Sequence, residues 1–450
     1  MTSVTDRPAV TPPQPWAFPE ASRSTLDNGL NLVTYDVPGQ YVISLRVAVP
    51  LPLSLEPRGK EGLTTILSRT LDEGTQRHSA EEFAELLERK GIALGAGTGE
   101  AGLTVELEVS KRHLSDALDL LSQAVREPVF PEAEVTRHVR TRLAEIDQEH
   151  ANPTQRAALE LVRTYFAPGE RAALPSAGTR ETVSGITRED LVAFHAAHVA
   201  PGGSTLVVTG DLSGLDVEAE VVATLGGWSG QAAVTEPVAS ARAADAGRIV
   251  FVDRPGAVQS EISIACAGPD RREEGGWAPF PVLSFVIGGS PNARVDAVLR
   301  EEKGFTYGIR CGFRPRRKGG LFLTGGSVRA DSTVEALDLL LGILDGGRDG
   351  FTEEEARSGV DFIGKTAPGR YATADAVADE AATMALEGLT TDFTTANLLD
   401  LATVDAARIS EAYRRHVQPG QWTVVVVGDA KRYAEGVRAL GRGEVTVVPN

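Results

Sequence analysis

The sequence predicts an α+β protein of two tandem homologous domains, each a mainly antiparallel sheet packed with helices. Three observations lead there. One phrase is written twice: His198 opens H-V-A-P-G-G-S-T-L-V-V-T-G-D and His416 opens H-V-Q-P-G-Q-W-T-V-V-V-V-G-D, identical at nine of fourteen positions without a gap. A second echo runs in the same order, L-V-T-Y-D-V-P-G from Leu32 and I-V-F-V-D-R-P-G from Ile249. Two echoes at nearly one offset mean a duplicated unit of roughly 200 residues, far beyond the periods of solenoid repeats. Finally, strand-like runs mix with long amphipathic helices in both halves, the pattern of helices laid on one sheet. Two similar halves are expected to face each other, with the site between them.

In the first half, Leu30 to Tyr35 and Tyr41 to Val49 read as strands, the latter through the alternation in V-I-S-L-R-V-A-V. A helix is expected from Gly62 to Leu71, with Leu63, Ile66, Leu67 and Leu71 on one face. Ser79 and Glu82 form a capping box for the next, which Gly91 ends. Leu103 to Val109 alternates as a strand. Helices follow from Leu114 to Val125 and from Pro131 to His150, and Asn152-Pro153 breaks the last. A helix from Arg188 to His198 and the strand Ser204 to Thr209 close the half.

The second half repeats the order. Arg248 to Asp253 and Glu261 to Ala267 are strands, and Phe280 to Val286 begins a helix. A turn at Gly288-Gly289-Ser290-Pro291-Asn292 leads to a helix from Ala293 to Glu302. Thr306 to Phe313 and Leu321 to Gly325 are strands. Val334 to Leu344 and Thr352 to Lys365 are helices, the second with Thr352 and Glu355 as its capping box. The domains are therefore placed at 24–228 and 248–450. Residues 1–23 form an extended leader, and the Ala-rich stretch 229–247 is the linker.

A chain of 450 residues can fill two full cores. Its net charge of −17 and the lack of a Lys/Arg stripe exclude a nucleic-acid surface. No apolar run reaches the roughly 18–20 residues that span a bilayer, so no membrane contact is expected. Residues 1–20 hold five prolines and no apolar core, unlike a signal peptide. Cys266 and Cys311 lie in strand-like runs and read as buried thiols. The expected location is the cytoplasm.

Four pieces of text carry a family resemblance: D-N-G-L (Asp27 to Leu30), E-G-L-T-T-I-L-S-R-T-L-D-E-G-T (Glu61 to Thr75), S-A-E-E-F (Ser79 to Phe83) and L-R-E-E-K-G-F-T-Y (Leu299 to Tyr307). In this order, on a duplicated frame, the chain resembles the pitrilysin/insulinase family of zinc metallopeptidases, in the two-domain branch that includes mitochondrial processing peptidase. The resemblance covers Ser24 to Val448. It implies that the two domains form half of a clamshell chamber.

Active members of that family carry an inverted zinc motif, H-x-x-E-H. Aligning the landmarks Gly62 and Gly74-Thr75 puts Thr65, Ser68 and Arg69 at its three functional positions. Zinc needs two imidazoles on one helical face, and a carboxylate beside them to take a proton from the bound water. Hydroxyls are poor zinc ligands, and Arg69 puts a permanent cation where the dication would sit. Glu145 matches the family's third ligand, but one carboxylate cannot hold catalytic zinc, and it is expected to pair with Arg69 or face solvent. His195 and His198 stand at ligand spacing, yet His198 is mirrored by His416 with no second histidine, and an end-of-helix structural role accounts for both copies.

Arg300 and Tyr307 match the Arg/Tyr pair that, in catalytic members, reaches the zinc site from the C-terminal domain. There the resemblance implies a substrate-holding cation and an oxyanion-binding hydroxyl. On the residues alone, Arg300 reads as a helix-surface charge and Tyr307 as a strand core residue. Gly288, Gly289 and Arg294 resemble the family's preceding turn, with a minor role at the substrate. Val250 to Asp253 or Leu103 to Val109 would offer a sheet edge to an extended peptide.

Together these readings lead to the non-catalytic subunit of a heterodimeric zinc metalloendopeptidase. This chain would hold no cofactor, and zinc would sit in a partner carrying H-x-x-E-H. The alternatives are a structural scaffold like the core subunits of the respiratory bc1 complex, and a homodimeric peptide-binding pseudoenzyme.

Overall fold

The computed structural model describes residues 11, 15–232, 236–418 and 420–450. Its twelve strands are β1 (Ala21–Thr25), β2 (Asn31–Asp36), β3 (Val42–Val49), β4 (Ala93–Thr98), β5 (Leu103–Ser110), β6 (Thr205–Gly210), β7 (Ile249–Asp253), β8 (Gln259–Gly268), β9 (Arg310–Pro315), β10 (Gly320–Arg329), β11 (Thr423–Gly428) and β12 (Val445–Pro449). They make two six-stranded sheets, ordered β1-β2-β6-β3-β5-β4 and β12-β7-β11-β8-β10-β9. Most pairs are antiparallel. The parallel ones are β2 with β6 in the first sheet, and β7 with β11 and with β12 in the second.

The two echoes fall on neighbouring parallel strands in each sheet: Leu32 lies opposite Leu206, and Ile249 opposite Val424. Their polar ends close the same pair of loops twice. Gly39 N–H donates to Asp211 at 3.0 Å while Leu212 N–H donates to Asp36 at 3.0 Å. In the second half, Gly256 N–H donates to Asp429 and Ala430 N–H to Asp253, both at 3.0 Å. The repeated P-G and G-D are thus a structural clasp: each aspartate satisfies a backbone donor that the loop would otherwise leave open.

Each sheet carries its own helices on one face and a helix of the other half on its opposite face. The helix Pro153–Tyr165 of the first half lies on β8 and β11. There Ala157, Leu161 and Tyr165 meet Val250, Val252, Val425 and Val427. In return, the helix Ala374–Glu387 of the second half lies on β3 and β6, where Val377, Ala378, Ala381 and Met384 meet Val33, Tyr35 and Val207. The intervening strand residues point the other way: Leu206 and Val208 into the first core, Val424 and Val426 into the second. Arg46 ties the exchange polarly, its Nε donating to Asp379 at 2.7 Å and an Nη to Glu108 at 2.8 Å.

Several expectations need correction. Asn152-Pro153 ends one helix, as its text suggests, but it also starts the next: the Asn152 side chain accepts from Gln155 N–H, and Pro153 fits the first turn. The helix expected over Gly62 to Leu71 spans only Leu63–Ser68. Ala93–Thr98, too rich in Gly and Ala to alternate, is nevertheless the edge strand β4. The strand expected from Thr306 begins only at Arg310. Neither segment named as a possible peptide-binding edge is one, because β7 and β5 are interior strands; the edges are β1, β4, β9 and β12.

Of the expected leader, residues 1–10 and 12–14 lie outside the described residues. Ala21 to Arg23 belong to β1, while Trp16 stacks on Tyr371 and Phe18 meets Tyr35 and Tyr371 edge-on. Within the expected linker, 233–235 lie outside the described residues; Gln231 pairs beside Gly202, and Arg242 beside Phe166.

Because each half completes the other's sheet, neither should be stable alone. Residues 1–232 expressed by themselves would bare the apolar outer face of β2, β3 and β6, a patch of the kind that drives association. We expect each fragment (1–232 and 236–450) to be recovered aggregated when expressed singly, and as one soluble complex when co-expressed, as read by size-exclusion chromatography. Two monomeric, folded fragments would contradict the helix exchange.

Candidate functional site

The short helix Leu63–Ser68 is set by a buried carboxylate. Glu56, whose side chain has no solvent exposure, accepts from Gly62 N–H (3.1 Å), Thr64 N–H (2.9 Å) and Thr64 Oγ1 (2.8 Å), and pairs with Arg171. Gly62 has φ of +100°, and a Cβ there would fall 2.7 Å from the Ala177 carbonyl oxygen, so only glycine fits. The E-G-L text is therefore a helix-start device.

On this helix Thr65 is half-buried and Ser68 buried, with Ser68 Oγ donating to the Thr65 carbonyl at 3.0 Å. Arg69 follows at the helix end. Its two terminal nitrogens donate to the two oxygens of Glu145 at 2.9 Å each, across to the helix Glu132–Ala151. On that second helix Arg142, only 3% exposed as a residue, donates to Glu145 at 3.2 Å, to Glu149 at 2.9 Å and to the Ala177 carbonyl at 3.0 Å. Two guanidinium groups thus face two carboxylates. Burial pushes the Glu145 carboxyl up, but hydrogen bonds from Arg69 and Arg142 outweigh it and hold the group below the usual glutamate range.

Zinc does not fit these residues. Ser68 spends its hydroxyl on its own helix, and Glu145 is saturated by two cations. The Arg69 guanidinium occupies the space before Glu145 with a charge that would repel Zn²⁺. His195 does not help: its Nε2 lies 3.0 Å from the Val125 carbonyl, and burial lowers its pKa. His198 instead packs its ring against Phe194.

Arg142 and Glu149 line a cavity of about 930 Å³ between the halves. Its far wall comes from the second half, including Arg314, Arg316 and Leu321. Arg316 spans the gap, pairing with Glu100 at 3.2 Å and lying 5.0 Å over the Phe166 ring. Sequence reasoning missed these residues. Arg142, Glu145 and Glu149 sit at helical spacing on one face, a signal that was readable. The pairing of Glu56 with Arg171, across a long sequence gap, left none.

Arg300 and Tyr307 do not join this cluster or line the cavity. Arg300 lies in the last turn of the helical stretch Arg294–Glu302; its side chain is 40% exposed and, among the described residues, pairs with the adjacent Glu301 at 3.4 Å. Tyr307 is not a strand core residue: it stands on a loop, 94% exposed. Gly288 and Arg294 are packed into the second half, while Gly289 is exposed at the turn. A Cβ on Gly288 would fall 2.5 Å from the Cys311 sulfur, and one on Gly289 2.8 Å from the Ser284 carbonyl oxygen. Arg294 is held by both oxygens of Glu355 (2.6 and 2.8 Å) and the Gly350 carbonyl, above the Phe351 ring.

Comparison with known families agrees with this arrangement. Residues 44–179 match the insulinase family, peptidase family M16, and residues 185–359 match the M16 inactive domain. The chain belongs to the insulinase family. A non-peptidase homolog, YmxG, of Helicobacter pylori is 23% identical over 385 residues, 84% of this chain and 87% of the relative. An uncharacterized zinc protease of Mycobacterium tuberculosis is 25% identical over 353 residues, 77% of this chain and 80% of the relative. An M16 inactive domain from Pseudomonas fluorescens shares the fold with a TM-score of 0.83 at 20% identity, covering 91% of this chain and 98% of that one. In this M16 chain, Arg69, Arg142, Glu145 and Glu149 form an ion-pair cluster.

The depressed Glu145 pKa gives a pH signature. A carboxylate stabilised in the folded state contributes stability above its ordinary pKa of about 4.3, and that contribution is lost as pH falls through the folded-state value. Glu145→Gln removes it at every pH. Denaturation midpoints of wild type and variant should therefore differ at pH 6 and converge as pH falls below about 4.3. A gap independent of pH would mean that the pair carries no net charge interaction.

Proposed function

We propose that this chain is the non-catalytic subunit of a heterodimeric zinc metalloendopeptidase. It supplies Arg300 and Tyr307 to a zinc site held by a catalytic relative with H-x-x-E-H, and half of the chamber around a flexible peptide. A cytoplasmic, bacterial setting of peptide turnover or leader removal suits the reading; among the described residues no helix is long and apolar enough to cross a membrane. The observation that carries it is the exposure of Tyr307. A phenol ring left 94% in water costs apolar hydration and gains no packing inside its own chain. Its retention is accounted for by a surface outside the chain.

The chemistry follows from what the two groups offer. Tyr307 presents a neutral hydroxyl donor that can stabilise negative charge developing on a peptide carbonyl as it becomes tetrahedral. Arg300, held only by its neighbour, keeps donors free for peptide carbonyls in both ground and transition states. An extended peptide adding to the free edge of β4 would run beside the helix Leu63–Ser68, which packs against that strand.

Steady-state kinetics of the complex with its catalytic relative test the proposal. Tyr307→Phe should leave the heterodimer intact and lower kcat by on the order of 10²–10³, the usual effect of losing one oxyanion donor. Arg300→Ala should raise KM as well as lower kcat. Wild-type kcat/KM in both variants would remove the pair from catalysis and favour the scaffold reading.

A further inference from the structure

Resting on that reading, the loop that carries Tyr307 shows how it is held. The helical stretch Arg294–Glu302 ends with Gly304 at φ +64°, and Phe305 N–H turns back to the Leu299 carbonyl at 2.9 Å. The Phe305 side chain packs on the second core, and its carbonyl accepts from Arg329 N–H at 2.9 Å. Thr306 Oγ1 then donates to the Ser327 carbonyl at 2.7 Å and accepts from Gly308 N–H at 3.0 Å, closing a ring of bonds around Tyr307. Gly308 itself has φ of +154° and passes so close to β10 that a Cβ on Gly326 would fall 2.7 Å from its carbonyl oxygen. On the far side, Asp296 accepts from Ile309 N–H at 3.0 Å and from Arg310 at 2.9 Å. The Asp296 side chain has no solvent exposure, and Ile309 is buried.

A wholly buried carboxylate is costly unless it is fully engaged. Here its two partners both lie just past an exposed tyrosine. The residues on either side of Tyr307 are fixed to the sheet and to the helix, while its own ring is free. A mobile surface loop would need none of this. We infer that Thr306 and Asp296 are positioning residues that hold Tyr307 in one place before any partner arrives, so that its hydroxyl acts without the entropy cost of ordering the loop.

Two measurements decide this. The first is amide hydrogen exchange on the chain alone. Thr306→Val removes the hydroxyl while keeping the shape, and should raise exchange at Gly308 by about tenfold or more; Thr306→Ser keeps the hydroxyl and should restore protection. Asp296→Asn keeps an acceptor for Ile309 but ends the ion pair to Arg310, and should shift exchange at Ile309 in the same direction. The second is turnover of the heterodimer on an unstructured fluorogenic peptide. Thr306→Val should lower kcat by between about 10- and 100-fold with KM little changed, the effect of a misplaced catalytic group, and should add nothing to the loss in a Tyr307→Phe background. Unchanged exchange, or a kcat loss that persists in full on top of Tyr307→Phe, overturns the inference. Wild-type turnover in Tyr307→Phe overturns instead the reading on which it rests, and exchange on the chain alone still decides whether the two clamps hold the loop.

Discussion

Two helices, each lying on the other half's sheet, are the constraint on which the rest of the structure depends. A sheet residue that points away from its own core normally faces water and is polar. In β6, β7 and β11 those positions are Val207, Val250, Val252, Val425 and Val427, apolar because the helices Pro153–Tyr165 and Ala374–Glu387 cover them. The halves cannot swing apart as free domains without exposing those faces. What they enclose, the cavity walled by Arg142 and Glu149 on one side and Arg314 and Arg316 on the other, is a fixed feature of the chain. Arg46 adds a polar lock, a buried guanidinium whose partners come from both halves.

Much of this was legible. The echoes marked the duplication because the clasp they encode, aspartate to glycine N–H and aspartate to the loop beyond G-D, needs the same residue types in both halves. Capping boxes at Ser79 and Thr352 marked helix starts through a local reciprocal bond that depends on no tertiary context. The helix exchange was not read, although its signal was present. T-V-V-V-V-G and I-V-F-V have no polar alternation, the sign of strands buried on both faces. The start of the helix Pro153–Tyr165 is hidden by Asn-Pro, a pair that stops one helix and also caps the next. At the site, Arg69 and Glu145 could be placed by resemblance and by charge. The loop of Tyr307 could not: T-Y-G-I-R-C-G-F alternates like a strand, and the bonds that hold it as a loop come from Asp296 in the preceding helix and from Ser327 on β10.

The cluster around Glu145 is best understood as a charge problem. Carboxylates gathered on inner helix faces repel one another unless cations pair with them. Here Glu145 and Glu149 share one helix face; Arg69 binds Glu145 and Arg142 binds Glu149 as bidentate forks, and Arg142 adds a single bond to Glu145. Arg suits the place because its planar donors match a carboxylate and it never loses its proton. Such a half-exposed cluster adds modest stability, on the order of 1 kcal/mol per pair or less. Its main effect is to make the inner wall neutral and to keep the helices Leu63–Ser68 and Glu132–Ala151 in the spacing that the fold requires.

The two halves differ in what their side chains serve. In the first, Ser68 bonds to its own helix, Arg69 to Glu145, and Arg142 to Glu149 and Ala177. In the second, the corresponding text keeps a tyrosine that serves nothing inside the chain, on a loop stiffened by a buried aspartate and a threonine. That contrast, an ion-paired cluster in the first half and an exposed aromatic on a loop bonded at both ends in the second, is what the heterodimer proposal rests on.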